Sequence, residues 1–357
     1  MIERIQNLLH SDQMGKWVRP FFTQVLIVLL AFVLGGFVIL GIGADPIAAY
    51  AALIKSAFGN VNSIAETLVK ACPLLLAGLA ITLAFRAEFW NIGAEGQLYM
   101  GGVLAAVVGI YFTGLPPAVH IPLALIAGVL GGAIAGFIPV ILKAKLRVNE
   151  VITTLMLNYI IILFTSYLDQ GPMSDPIIKA GISRRLLETS WIPIMIKGTR
   201  FHWGIPLALL ITILIAFLLS KTMLGFQIRA VGENARAARV AGVSINKTII
   251  WTMILSGALA GLAGGIEISG VQHRLIERFS PGYGFLAIAV ALVGRLSPIG
   301  VIFSSVLFAA LIAGADTMQR VAGVPIPVVY LIEGLVIIFA SIRSIRIRSP
   351  FRRKVTA

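Results

Sequence analysis

The chain has 357 residues, of which 58% are apolar and only 12% charged, and its mean hydropathy is +0.96. Soluble domains carry about a quarter charged residues, so this composition excludes a soluble globular fold; the length provides for about ten bilayer spans of ~20 residues with their connections. The net charge of +14 lies beside apolar runs rather than on a soluble face interleaved with aromatics, which excludes a nucleic-acid partner and fits a lipid bilayer instead.

Residues 1–20 are amphipathic and mixed in charge, and the apolar run that follows is too long for a signal core and lacks a convincing cleavage site. The segment is therefore expected to stay as a cytosolic N-terminus ahead of the first span. Candidate spans are 21–42, 68–85, 97–112, 119–142, 151–168, 205–219, 248–270, 285–293, 299–313 and 324–342. The run 285–293 is too short to cross alone at about 1.5 Å per residue and reads as a half-helix, or as a span that borrows flanking glycines. Positive charge orients the set. Lys16, Arg19, Arg86, Lys143, Lys145, Arg147, Lys221, Arg229, Arg236, Arg239, Lys247, Arg295 and the basic tail 343–357 all fall on one side if ten spans leave both termini in the cytosol. Arg274 and Arg278 fall outside, against the rule. The fold class is thus an all-α integral membrane protein, read as one membrane-spanning domain over 1–357 with some broken or half-helices. Gly128, Gly132 and Gly136, and again Gly257, Gly261 and Gly265, recur every fourth residue; such faces let helices pack closely in lipid.

Catalytic chemistry is not written in this chain. A phosphate loop of the form G-x-x-x-x-G-K-[ST] is missing: Asn246 stands before Lys247-Thr248 where a glycine is required. The four histidines are scattered, and the single cysteine, Cys72, sits in an apolar run as a small buried hydrophobe. Two polar constellations do interrupt the apolar runs. In the first, Asn91, Glu95 and Gln97 sit among glycines. They read either as a broken helix at membrane depth, whose freed backbone groups are satisfied within the protein, or as a tight turn with Glu95 at a helix N-terminus. In the second, Asn149 and Glu150 open a span, and Thr154 and Asn158 share a face four residues apart; Asn158 lines a pathway or, more commonly, bonds a neighbouring helix. Glu267 and Glu333 are read as hydrogen-bonded inside the bundle.

The polar insert 220–247 is more specific. Asn234 is placed to cap a short helix running through Arg236 and Arg239 to Val240 and Ala241, with Gly242 as its left-handed stop. Two turns are marginal alone in water, so an external partner is expected to order them.

FWNIGAEGQLYMGG (89–102), NEVITTLMLNYI (149–160), GFQIRAVGENARAARVAGVSINK (225–247), SGALAGLAGGIEISG (256–270) and FSPGYGFLAIAVALVGRLSPIG (279–300) resemble the permease subunits of ABC importers for ribose-type simple sugars and nucleosides, within the broader group of branched-chain amino-acid permeases. The NIGAEGQ and SPGYGF forms are more similar to the nucleoside branch. The resemblance implies a non-catalytic permease in a bacterial cell membrane, translocating nucleosides or related sugars. It implies no cofactor on this chain, with ATP and Mg held by a cytosolic double-cassette ATPase, and it implies a second permease chain, as a heterodimer, and an external solute-binding lipoprotein. It makes Gly232, Glu233, Asn234, Arg236, Arg239 and Gly242 the ATPase-coupling residues, although Glu233-Asn234-Ala235 departs from the acidic-Ala-Ala form of other importers. Asn91, Glu95, Gln97 and Asn158 are expected beside the translocation pathway. The alternatives are a branched-chain amino-acid permease, an ion-coupled transporter that would use intramembrane acids, and a receptor or channel.

Overall fold

A computed structural model describes residues 12–178 and 181–342. The basic tail 343–357 and residues 1–11 of the N-terminal segment lie outside the described residues. Those described form helices α1 (Asp12–Gly41), α2 (Pro46–Phe58), α3 (Val61–Arg86), α4 (Ala94–Tyr111), α5 (Pro117–Leu146), α6 (Glu150–Gln170) and α7 (Gly204–Lys221). After these come α8 (Met223–Glu233), α9 (Ala235–Val240), α10 (Ile245–Glu267), α11 (Tyr283–Val293), α12 (Pro298–Ala322) and α13 (Ile326–Ile342). The only β pairing among the described residues is three isolated bridges in the loops around 174–202 and at Ile276.

Local chemistry explains several helix starts. Asn60 caps α3 by accepting from the Ser63 N–H at 2.8 Å, and Asn149 caps α6 by accepting from Val151 at 2.9 Å. Pro117 opens α5, where the missing N–H costs nothing. Among the described residues six helices (α3, α5, α6, α7, α12, and α10 with its π-helical extension Ile268–Gln272) are long and apolar enough to cross a membrane. The 11-residue α11 is not.

The chain falls into two compact units. In one (of the described residues, 12–50 and 318–342), α1 packs on α13, and Gly35 lies so close to Ile332 that no side chain fits between them. The Tyr50 hydroxyl donates to the Phe32 carbonyl at 2.6 Å. Glu333 is buried in this unit, and its Oε1 has no hydrogen-bond partner among the described residues.

The other unit spans residues 51–317, with α10 at its centre against α3, α4 and α5. Both glycine stripes are spent here: a Cβ on Gly132 would meet the Gly257 carbonyl, and one on Gly261 the Gly128 carbonyl. The helix backbones touch, as small-residue seams allow in lipid. At one end of this unit Arg86 donates to the Leu296 carbonyl at 2.7 Å, Lys143 lies over the Phe89 ring at 4.8 Å and pairs with Glu150, and Arg147 and Arg239 border a common cleft. At the opposite end Glu66 pairs with Arg200, Ser183 bonds Leu275 and Trp191 stacks on His273.

Candidate functional site

The first polar constellation is a buried, non-helical climb between α3 and α4. Phe89 and Asn91 are fully buried, and Glu95 and Gln97 nearly so. Four of its freed backbone groups find side chains. Asn91 Oδ1 accepts from Gly93 N at 3.0 Å, and Thr154 Oγ1 accepts from Ile92 N at 3.3 Å. Asn158 Nδ2 donates to Ile92 O at 2.7 Å while its Oδ1 accepts from Gly96 N at 2.8 Å. Asn91 and Gln97 exchange two amide hydrogen bonds of 3.0 Å, and Asn91 also donates to Ser256, whose hydroxyl donates to Ala80 O. Through Ser256 the Asn91 amide is linked to Ala80, some six residues before the end of α3, while Glu88 and Trp90 of the same segment are exposed. Asn158 thus bonds a neighbouring segment, the commoner of its two readings, and Glu95 does sit in the first turn of a helix.

Glu95 reaches across 189 residues of sequence. Its Oε2 accepts from the Gly284 N–H at 2.5 Å, with the Ser280 hydroxyl and the Phe285 N–H also in hydrogen-bond range. The carboxylate and Ser280 together cap the N-terminus of α11; Ser280 Oγ accepts from Tyr283 N at 3.0 Å. The loop before α11 therefore dips into the bundle, and α11 starts beside the first turn of α4. At about 1.5 Å per residue its 11 residues run about 16 Å to the basic end, where Gly294 packs on Gly300. Two helix N-termini meet within the bundle, an arrangement that broken-helix transporters place near their solute route. The four expected pathway residues are brought together here, all engaged in internal hydrogen bonds.

The second site lies at the basic end. Asn234 Oδ1 accepts from Arg236 N and Ala237 N, both at 3.0 Å, and Gly242 closes α9 with φ +84°. Val243 N returns to Ala238 O at 2.9 Å. The cap and the stop stand where the residue types placed them. The expectation that a partner orders this turn needs correction: Val231, Ala238 and Val243 pack together, with Ala230, Ile245 and Ile249 against them. α8, which the sequence reading left as irregular insert, supplies Val231; Thr222 caps it by accepting from Gly225 N. Gly232 lies flush on the Arg86 carbonyl, where no Cβ fits. The opposite face is open. Glu233, Asn234, Arg236, Ala237, Arg239 and Gly242 are exposed, and Val240 exposes 90% of its surface.

Sequence reasoning missed Ser256, Ser280 and Gly284 as partners. Ser280-Pro281-Gly282 before an apolar run is a helix-start signal that points to Ser280; nothing local points to Ser256. Among the described residues no three histidine, cysteine, aspartate or glutamate side chains gather as metal ligands.

Residues 63–341 match the family described as the permease component of branched-chain amino acid transport systems. The chain belongs to that family. It is a permease subunit of ABC type, and the ATP hydrolysis that drives such systems lies on a separate subunit. It is 37% identical over 331 residues to the guanosine ABC transporter permease protein NupP of Bacillus subtilis (strain 168), covering 92% of this chain and 95% of that one. It is 35% identical to the nucleoside ABC transporter permease protein NupB of Lactococcus lactis subsp. cremoris (strain MG1363), covering 93% of each. The glucose ABC transporter permease protein TsgB13 of Haloferax volcanii is 36% identical, over 89% of this chain and 86% of its own length.

Proposed function

We propose that this chain is the membrane-spanning subunit of an ATP-driven importer that carries nucleosides into a bacterial cell across its plasma membrane. The observation that carries the reading is near-full-length similarity to permeases named for guanosine and nucleosides. Similarity at the same level to a glucose permease keeps sugars as the second reading; a hydroxyl-bearing sugar ring is common to both solutes. The chain forms one permease domain that crosses the bilayer ten times with both termini in the cytosol. Supporting this, Arg86, Lys143, Arg147, Arg239 and Arg295 lie near the same end of the 51–317 unit, the bias that marks a cytosolic side. The exposed face of α9 docks on a cytosolic double-cassette ATPase that holds ATP and Mg. A second permease chain completes the pair, and an external solute-binding lipoprotein delivers the solute.

The re-entrant segment 87–97 and the N-terminus of α11 flank the solute route. A neutral polar solute needs hydroxyl and amide partners rather than a charge; Asn91, Gln97, Asn158 and Ser280 are of that type, and in this structure they bond one another and the backbone, so they frame the route. Uptake of radiolabelled guanosine by cells expressing the full importer tests the reading. Uptake abolished by deleting this permease, and competed by other nucleosides but not by glucose, is the expected result. Competition by glucose alone would replace the nucleoside with a sugar.

A further inference from the structure

The α5–α10 seam ends abruptly. Its last glycine contact sets Gly136 against Met253 and Gly257. Beyond it the facing positions become Val140, Lys143 and Ala144 on α5 and Ile249 and Asn246 on α10, whose side chains hold the helices apart. A cleft of about 340 Å³ opens there, lined by Val140, Lys143, Ala144, Arg147, Arg239, Asn246 and Ile249. Its floor is apolar, because Val140 and Ile249 belong to the buried cluster around Phe89 and Met253. Its rim holds three cations from three segments: Lys143 on α5, Arg147 just past it and Arg239 on α9. Lys143 already pairs with Glu150 at 2.5 Å. Neither Arg147 nor Arg239 has a carboxylate within ion-pair distance among the described residues. Two unneutralised guanidiniums over an apolar floor match an amphiphile with an anionic head. Guanidinium pairs bind phosphate oxygens in bidentate fashion, and basic pockets between helices at the cytosolic membrane surface suit anionic headgroups.

We propose that this cleft seats the phosphate-bearing headgroup of an anionic glycerophospholipid, with Arg147 and Arg239 as its principal ligands and Asn246 as a further donor. Arg239 sits on α9, so the bound headgroup ties that turn to the end of α5. The site does not depend on which solute is carried. It is tested by native mass spectrometry of the full-length chain in detergent, with phosphatidylglycerol and phosphatidylcholine added in equal amounts. The wild type is expected to retain phosphatidylglycerol selectively. Arg147→Gln and Arg239→Gln are each expected to weaken that retention about fivefold, the equivalent of about 1 kcal/mol per basic residue. Lys221→Gln, which removes a charge from the same end but outside the cleft, should leave it unchanged. Undiminished selectivity in both arginine variants overturns the proposal. So does displacement of the lipid by millimolar inorganic phosphate, which would make the cleft a free-phosphate site. Co-expression with the ATPase supplies the last arm: co-purification lost in Arg147→Gln while lipid retention persists would assign the cleft to an acidic side chain of that partner and overturn the lipid.

Discussion

Asn158 uses both ends of its amide on the segment between α3 and α4, one on the Ile92 carbonyl and one on the Gly96 N–H. Asn158→Ala strands both buried groups, each costing about 1–3 kcal/mol. Thermal unfolding of the detergent-solubilised chain should therefore shift downward, with uptake falling alongside; an unchanged midpoint would remove this residue from the frame of the segment. Glu95→Gln is a different experiment. The amide oxygen still accepts from Gly284, so assembly should persist, but the carboxyl group that meets Ser280 and the α11 N-terminus is replaced by an amide. Uptake should fall while the yield of membrane-inserted protein stays level, as measured side by side. His202 gives a pH dependence outside the spans. Its Nδ1 accepts from Gly204 N at 3.1 Å, so the neutral ring is the folded form. Burial, then His273 and Arg200, hold its pKa down to about 4. The unfolded chain binds the proton first, so stability is full above about pH 6.5 and is lost as pH falls toward 4, by up to about 3 kcal/mol. His202→Gln should flatten the melting-temperature profile between those limits; a profile as steep as the wild type's would point to other groups.

At the scale of the element, α9 shows how six helical residues persist despite a length that is marginal in water. Asn234 and Gly242 fix its ends, and Ala238 anchors it on Val231 and Val243. Its outer face is left with Ala237, Val240 and Arg236, while Arg239 borders the cleft at the end of α5. Gly242→Val forces a β-branched residue into the left-handed region, a penalty of roughly 1–2 kcal/mol. Ala237→Asp puts a charge on the open face without touching the anchor. Both variants should remain in the membrane, and in the assembled importer ATP hydrolysis should lose its stimulation by loaded binding protein. Ala237→Asp is the cleaner of the two, since the fold does not contact that side chain. Stimulated hydrolysis and ATPase co-purification at wild-type levels in this variant would reduce α9 to a solvated positive loop.

The whole molecule is organised by where its glycines let helices touch and where its cations stop them. α10 is central because Gly257 and Gly261 on one face meet α5, while Gly264 on another is flush against the Leu98 carbonyl of α4. The proposed topology follows from the basic end. In a background where Cys72 is replaced, cysteines at positions 147, 236 and 295 should react with impermeant maleimide only in inverted vesicles. Labelling of position 236 in intact cells would reverse the orientation. ATP-driven and ion-coupled transport are separated by experiment. Glu95 is engaged by backbone N–H groups and Glu267 by Gln272 at 3.0 Å, which leaves Glu333, with its unpartnered buried Oε1, as the acid an ion-coupled reading would use. Uptake should stop when cytosolic ATP is depleted under an intact ion gradient.

Composition and periodicity alone establish the membrane class, because apolar runs of bilayer length leave few other folds. They also establish the helix starts at Asn149 and Asn234 and the stop at Gly242, because a cap is a contact between neighbours in the chain. The short run 285–293 is legible as a half-helix for the same reason: length is local. The partners of Asn91, Glu95 and Asn158 are not legible, since Ser256, Gly284 and Ile92 lie 165, 189 and 66 residues away and no local pattern encodes them. α2 was missed because its 13 residues fall below a span, and α8 because its charges read as loop while its apolar face, Ile228 and Val231, is buried only once the chain folds back. Periodicity shows that the two glycine stripes pack; only the tertiary structure decides that they pack on each other, since a small-residue face fits any second small-residue face and the connectivity of the bundle chooses which one it meets.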